Sequence, residues 1–210
     1  MIVTFIPAAG RSSRMGGRDK LLETIGGVPI LRRTAEVAIG AGLGPVIVGV
    51  RSGDRVRPKS LSDLDLRIIE VPDAEEGMAA TLRAGARTAL AVIADDDTSG
   101  DGTPHSGMIV LLPDMPEIEA GDLVRMESVF QARGGPVVRA TTQDATPGHP
   151  VLFPAYLLRD FGGLAGDRGA MSLLEDAGVV DVPLQGERAR LDLDTPEDWA
   201  AWRDTSGNRQ

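Results

Sequence analysis

Cysteine is absent from this 210-residue chain, which excludes disulfides and thiolate metal sites, although that absence alone assigns no redox compartment. Aromatic residues make up only 3%, leaving little material for a nucleic-acid platform or a cofactor pocket built on stacking. Positive charge is in deficit: 22 Lys and Arg stand against 31 Asp and Glu, so a broad surface for nucleic-acid backbones is excluded. No hydrophobic run approaches membrane-spanning length, and the amino terminus lacks a basic segment followed by a long apolar run and a cleavage site. The expectation is a cytoplasmic protein with neither nucleic acid nor membrane as a partner.

What is present is a globular composition, long enough to bury the core of one medium domain. Strands are expected at Met1 to Ile6, Val46 to Val50, Leu66 to Val71, Met108 to Leu112, Gly135 to Ala140, Val151 to Phe153 and Val179 to Val182. Helices are expected at Ile30 to Ala41, at the alanine-rich Met78 to Ile93 and at Ala120 to Ala132, with helical patches near Ala155 to Phe161 and Ala170 to Ala177. Strands apolar on both faces that alternate with helices imply a doubly wound α/β fold, a mostly parallel sheet with helices on both faces. The turn-rich "TTQDATPGHPVLFP" changes that rhythm, so the chain reads as a single domain over residues 1–210 with an insertion or subdomain around 141–178. The polar stretch Asp95 to Gly107 reads as a solvated loop without chemistry, and Asp204 to Gln210 as a frayed end.

Against the acidic background, "FIPAAGRSSRMGGRDKLLE" (Phe5 to Glu23) gathers Arg11, Arg14, Arg18 and Lys20 around Gly10, Gly16 and Gly17. It follows the first strand, and open parallel sheets bind ligands at the carboxyl ends of strands where strand order reverses. Glycine permits close backbone approach and positive φ while the cations supply charge, a combination suited to a polyphosphate. Two familiar phosphate motifs fail on spacing. Gly17 is followed by Arg18 and Lys20 by Leu21, which breaks G-x-x-x-x-G-K-[ST], and Ser12 holds the place of the second glycine in G-x-G-x-x-G. From composition alone a solvated basic loop explains the same residues.

Two distant acidic segments complement the loop. "VLLPDMP" sets Asp114 at the end of a buried strand, and "LDLDTPEDW" carries Asp192 and Asp194 near the carboxyl end. Mg²⁺ takes one or two carboxylates and completes its shell with phosphates and water, so two aspartates suffice. The bland alternatives are that Asp114 shapes a turn before Pro116 and that Asp194 opens a helix with Thr195, Pro196 and Glu197.

"PAAGRSSRMGGRDKLL" resembles the signature loop, A-[AG]-G-x-S-x-R-M-G-x(2,3)-K, of the MobA/MocA-like nucleotidyltransferases, the molybdenum-cofactor cytidylyl- and guanylyltransferases. The resemblance implies a Rossmann-like nucleotidyltransferase fold in which the loop wraps a triphosphate at Ala8, Ala9, Gly10, Arg14 and Lys20. In that group A-A-G accompanies CTP and A-G-G accompanies GTP, so Ala9 points to CTP, whereas the spacing of "MGGRDK" is that of the guanylyl branch. "IPAAG" is also similar to the methylerythritol cytidylyltransferases, but their acceptor motif D-A-x-R-P is replaced here by "DMPEI". The same resemblance makes Asp114 of D-M-P the main Mg²⁺ ligand and Asp194 of D-T-P-E-D the other, with Asp192 beside them. "EEGMAATLRAG" resembles the family's G-M-x-x-[ST]-L stretch, which borders base and ribose and brings in Gly77, Met78 and Thr81; a plain helix start with Met78 and Leu82 in the core explains it equally. "GHPVLFP" is close to a cytidylyl-branch signature and sets His149 on the acceptor side. "GDRGAMSLLE" resembles G-D-x-G-[AV]-R, with Met171 and Ser172 in place of the arginine-containing end.

The function these resemblances imply is Mg²⁺-dependent transfer of CMP from CTP to a phosphorylated acceptor, molybdopterin first, with release of pyrophosphate and with Arg14, Lys20 and Asp114 as catalytic residues. The implied protein partner is a molybdoenzyme or a cofactor-insertion protein. A phosphate monoester, with a second pKa near ~6, is largely ionised at neutral pH and needs no dedicated base. Other readings stay open: guanylyl transfer from GTP, cytidylyl transfer to a sugar-alcohol phosphate, and, from different classes, a nicotinamide-dependent oxidoreductase or a nucleotide-binding chaperone without turnover. The oxidoreductase requires an intact glycine fingerprint and a ribose-binding acid after the second strand, and "VIVGVRSGD" offers little toward either.

Overall fold

The structure, a computed structural model, describes residues 1–96, 105–166, 170–174 and 177–207. Most of the polar stretch Asp95 to Gly107, and positions 167–169 and 175 of the "GDRGAMSLLE" segment, lie outside the described residues. In chain order the elements are β1 (Ile2–Ala8), β2 (Thr24–Ile25), β3 (Val28–Pro29), α1 (Ile30–Gly40), β4 (Val46–Arg51), α2 (Val56–Lys59), β5 (Arg67–Val71), α3 (Met78–Asp96), β6 (Gly107–Val110), α4 (Ala120–Ala132), β7 (Val137–Thr141), β8 (Pro147–Pro154), α5 (Met171–Leu174), β9 (Val179–Pro183) and α6 (Pro196–Gly207).

Seven strands form one sheet in the order β5-β4-β1-β6-β8-β7-β9, with β2 and β3 a separate hairpin. Neighbours run parallel except at β8, which pairs antiparallel with both β6 and β7. The link from β7 to β8 is residues 142–146, too short for a parallel crossover, which needs a dozen residues or more; a reversal is the geometry such a link permits. The expected parallel sheet therefore holds with one antiparallel strand, and that strand, Pro147–Pro154, lies inside the sheet.

Alternation along each strand explains why helices cover both faces. Ile2, Ile6, Val46, Val48, Ile109 and Leu111 pack with α1, α4 and Trp199 of α6, while Val3, Phe5, Ile47, Met108 and Val110 pack with α3 and the 3-10 segment Leu157–Gly163. Phe5 is fully buried between β4 and α3, where glycine is required for room: a Cβ on Gly85 of α3 would stand 2.4 Å from the Phe5 ring. Gly85→Ala is therefore expected to destabilise by about 1–3 kcal/mol through overpacking, despite the better helix propensity of alanine, and chemical denaturation measures it.

The chain runs from β1 outward to β4 and β5, then returns through α3 to β6 on the other side of β1. Strand order thus reverses between β1 and β6, and the carboxyl ends of these two strands open onto the glycine loop and onto Asp114 respectively. At the other end of the chain, α6 continues to Gly207, so the expected fraying from Asp204 is not observed over Asp204 to Gly207. No helix among the described residues is long and apolar enough to cross a membrane.

Candidate active site

The loop after β1 turns through Ser12 in a left-handed conformation, a 3-10 turn at Ser13–Met15, and Gly16 and Gly17 at φ 61° and 90°. It ends at Asp19, whose carboxylate accepts the Leu21 N–H and so caps the 3-10 turn Lys20–Leu22. This turn puts Lys20 at the mouth of the cleft between β1 and β6. Lys20 Nζ donates to Asp114 Oδ2 at 2.5 Å and to Asp194 Oδ1, and Arg14 Nη1 donates to Asp194 Oδ2 at 2.5 Å. Burial works against the charge on Lys20, but the Asp114 and Asp194 carboxylates overcome it and hold its pKa above the ordinary lysine value.

Two local arrangements bring the remote aspartates together. The Leu193 N–H donates to the Asp114 carbonyl at 3.0 Å, which stitches the segment before α6 to the segment after β6. The start of α6 is a reciprocal cap: Asp198 N–H donates to Thr195 Oγ1, while the Thr195 and Asp194 N–H groups donate to Asp198 Oδ2. The Thr195–Asp198 cap satisfies the helix terminus, leaving the Asp194 carboxylate for the cations. Helix opening and charge pairing at "DTPED" are therefore compatible. Asp114 is no mere turn former either, since its side chain is buried against Lys20.

Carboxylate oxygens of Asp114, Asp192 and Asp194 lie within 4.8 Å of one another. Asp114 Oδ1 is buried and has no hydrogen-bond partner, an acceptor that folding leaves unsatisfied at a cost unless something else meets it. Partial desolvation, then the like charges of Asp114 and Asp194, raise the Asp192 pKa. Three convergent carboxylates, one of which carries an orphaned oxygen, fit a divalent cation.

A cleft of about 490 Å³ is lined by Ala9, Gly10, Arg14, Lys20, Gly77, Met78, Thr81 and Asp114, so most of the residues singled out from sequence share one wall system. Gly77 has φ 89° and ψ −157°, a conformation essentially restricted to glycine, and it delivers the chain into α3 with Met78 and Thr81 facing the cleft. Ala8 is not part of that lining; its side chain is buried in the core and its carbonyl accepts from Arg57. His149 lines a second cleft of about 450 Å³, with Arg139, Arg190 and Asp192 set in an apolar wall that includes Leu82, Val151 and Phe153. Met78 and Leu112 border both clefts, so the two adjoin beside the aspartates. Burial holds the His149 imidazole below its ordinary pKa against the opposing pull of Asp114.

Several participants escaped the sequence reading. Glu75 pairs with both Arg11 and Arg51, and Arg51 also donates to the Ala9 carbonyl at 3.2 Å. Arg57, which is buried, pairs with the half-buried Asp19 beneath the loop. Asp19 carried a local signal, standing next to Lys20 in the glycine-rich motif; Arg57 carried none, because its bonds to the loop span 38 residues or more.

The MobA-like NTP transferase domain family matches residues 4–182. No curated protein matches the sequence at a significant level. Among solved structures, Rv0371c from Mycobacterium tuberculosis H37Rv is similar with a TM-score of 0.77 and 23% identity over 97% of both chains, and its complex with manganese gives 0.71. Mth528, a nucleotidyl transferase from Methanothermobacter thermautotroptrophicus, gives 0.72 and 23% identity over 100% of this chain and 99% of that one. Molybdopterin-guanine dinucleotide biosynthesis protein A from Archaeoglobus fulgidus gives 0.67 and 16% over 99% and 100%. At these identities the structures speak to the fold, a Rossmann-like nucleotidyltransferase fold. Matched over most of its length, the chain belongs to the MobA-like NTP transferase domain family and is a nucleotidyltransferase.

Proposed function

We propose that the protein transfers CMP from CTP, with Mg²⁺, to the phosphate of a molybdopterin-type acceptor, releasing pyrophosphate. The observation that carries this reading is the double pairing of Lys20 with Asp114 and Asp194, which stand 94 and 174 residues away and meet it at the mouth of the glycine-loop cleft. Ala9, Gly10, Arg14 and Lys20 hold the triphosphate, and Gly77, Met78 and Thr81 border base and ribose. Asp114 and Asp194, with Asp192 beside them, hold the cation. When bound, it supplies charge neutralisation at the phosphates.

Lys20 and Arg14 do the work that belongs to the chain itself. In the free protein their charges are spent on carboxylates; with nucleotide bound they turn to the phosphate oxygens, where negative charge grows as the α-phosphorus is attacked and pyrophosphate departs. The nucleophile is the ionised acceptor phosphate, and no side chain is required to take its proton. The second cleft, His149 among its lining, receives the acceptor: it adjoins the nucleotide cleft across Met78 and Leu112, beside the aspartates, which brings an acceptor phosphate within reach of the triphosphate. Residues 141–178 belong to this acceptor side, and the reaction is cytoplasmic. A molybdoenzyme or cofactor-insertion protein receives the product.

CTP rather than GTP rests on Ala9, which is buried and lines the cleft. Ala9→Gly is expected to move the ratio of CTP to GTP use toward GTP by about tenfold, the scale of one methyl group in a selective pocket. Pyrophosphate release from each nucleotide measures it, and an unchanged ratio removes the argument for cytidine. The wild type should release pyrophosphate from CTP when Mg²⁺ and molybdopterin are both supplied. No release from either nucleotide, with molybdopterin or with a sugar-alcohol phosphate, would overturn the proposal.

A further inference from the structure

Arg57 is 4% exposed, unusual burial for a guanidinium. It comes from α2, whose start is capped by Asp54, with Oδ1 accepting from the Val56 and Arg57 N–H groups. From there the side chain runs beneath the glycine loop and bonds it at three separate points. Nη1 donates to the carbonyl of Ala8, where the loop leaves β1, at 2.6 Å. Nη2 reaches Ser12 Oγ, at the left-handed turn, at 3.5 Å. Nε and Nη2 take both oxygens of Asp19, where the loop ends, at 2.8 and 2.9 Å. Ser12 Oγ donates in turn to Asp19 Oδ1 at 3.0 Å.

One guanidinium thus ties the beginning, the turn and the end of a single phosphate loop, and Asp19 immediately precedes Lys20. Neither Arg57 nor Asp19 lines the nucleotide cleft. We propose that Arg57 is a positioning residue for nucleotidyl transfer: acting through Asp19, it fixes the curvature of the loop from Ala8 to Lys20 and so sets where Lys20 and the loop backbone meet the triphosphate. The proposal rests on the nucleotidyl-transfer reading above. Only a planar fork can serve these points together; an ammonium at the same position keeps the charge and loses the bidentate geometry.

The test compares wild type, Arg57→Lys, Asp19→Asn and the double variant by calorimetric titration with Mn²⁺ alone, with CTP and GTP in Mn²⁺, and with CMP and GMP. For whichever triphosphate the wild type binds, each single variant should weaken binding by about tenfold or more. Binding of Mn²⁺ alone and of the matching monophosphate should stay within about twofold, measured below the lowered thermal midpoint that loss of a buried partner brings. The double variant should be no weaker than the weaker single, because both changes break one unit.

A purely structural pair makes a different pattern, in which triphosphate, monophosphate and Mn²⁺ binding weaken together by the same factor, and that result overturns the proposal. So does wild-type triphosphate binding by Arg57→Lys, or by Asp19→Asn where Arg57→Lys does not fold. Failure of the wild type to bind either triphosphate is a separate result, which overturns the nucleotidyl-transfer reading and this inference with it.

Discussion

Asp114→Asn is expected to stop turnover, lowering the rate of pyrophosphate release by roughly 10³-fold or more, while the protein keeps its fold. The amide occupies the same space but is a poor cation ligand, and it replaces a carboxylate that belongs to the aspartate cluster and carries an orphaned oxygen. Stability is expected to hold because two effects oppose each other. Lys20 loses one charged partner but keeps Asp194, and a like charge is removed from a group of three carboxylates within 4.8 Å. The thermal midpoint without metal should therefore stay within about 4 °C of wild type, the shift that roughly 1 kcal/mol produces in a chain of this size. A variant that retains the wild-type rate refutes the assignment of Asp114.

Lys20→Met should act in the same way on rate but, unlike Asp114→Asn, should lower stability. Its side chain is 19% exposed, and removing it leaves Asp114 and Asp194 facing each other with Arg14, itself largely exposed, as the remaining cation. We expect a loss of about 1–3 kcal/mol in the metal-free protein, less than for a fully buried pair because water screens part of the site. The rate should fall about 10²–10³-fold, as when one preorganised donor to a developing charge is lost. A divalent cation replaces the missing charge, so added Mn²⁺ should raise the thermal midpoint more in the variant than in the wild type. Equal shifts in both proteins would place the cation away from Lys20 and contradict the account.

What the sequence made legible was local and contiguous. The glycine loop, "DMP" at a strand end and "DTPED" at a helix start each announce a geometry within a few residues, and each lies at the rim of the sheet as expected. The continuous apolar runs of β1, β4 and β6 likewise identified strands covered on both sides, and the two helix layers follow from them. Less visible was anything that depends on contacts between distant segments. Nothing in "LDLD" alone reveals that Leu193 donates to the Asp114 carbonyl, the bond that makes the two acidic segments neighbours. Asp192, set beside the two ligands by the resemblance, stands with its carboxylate in the cluster.

Arg57 is the sharpest case. In sequence it is one basic residue of "RSGDRVRPK", indistinguishable from Arg55, and only the fold shows that Arg57 is buried beneath the loop. The antiparallel β8 was legible in principle, since residues 142–146 are too few to cross the sheet, but reading it required knowing that β7 and β8 are neighbours. The extent of α6 misled for another reason: its last turn is polar and weakly patterned, while Trp199 on its first turns holds it to the core.

The central claim is that Lys20, Asp114 and Asp194 meet one divalent cation and one triphosphate at the same place. Anomalous scattering from crystals grown with Mn²⁺ and a non-hydrolysable analogue of CTP tests it directly. The account predicts a manganese peak bonded to Asp114 and Asp194 and to phosphate oxygens, with Lys20 turned from the carboxylates to the triphosphate. A manganese bound elsewhere, or a triphosphate seated away from the glycine loop while Lys20 keeps both aspartates, would contradict it.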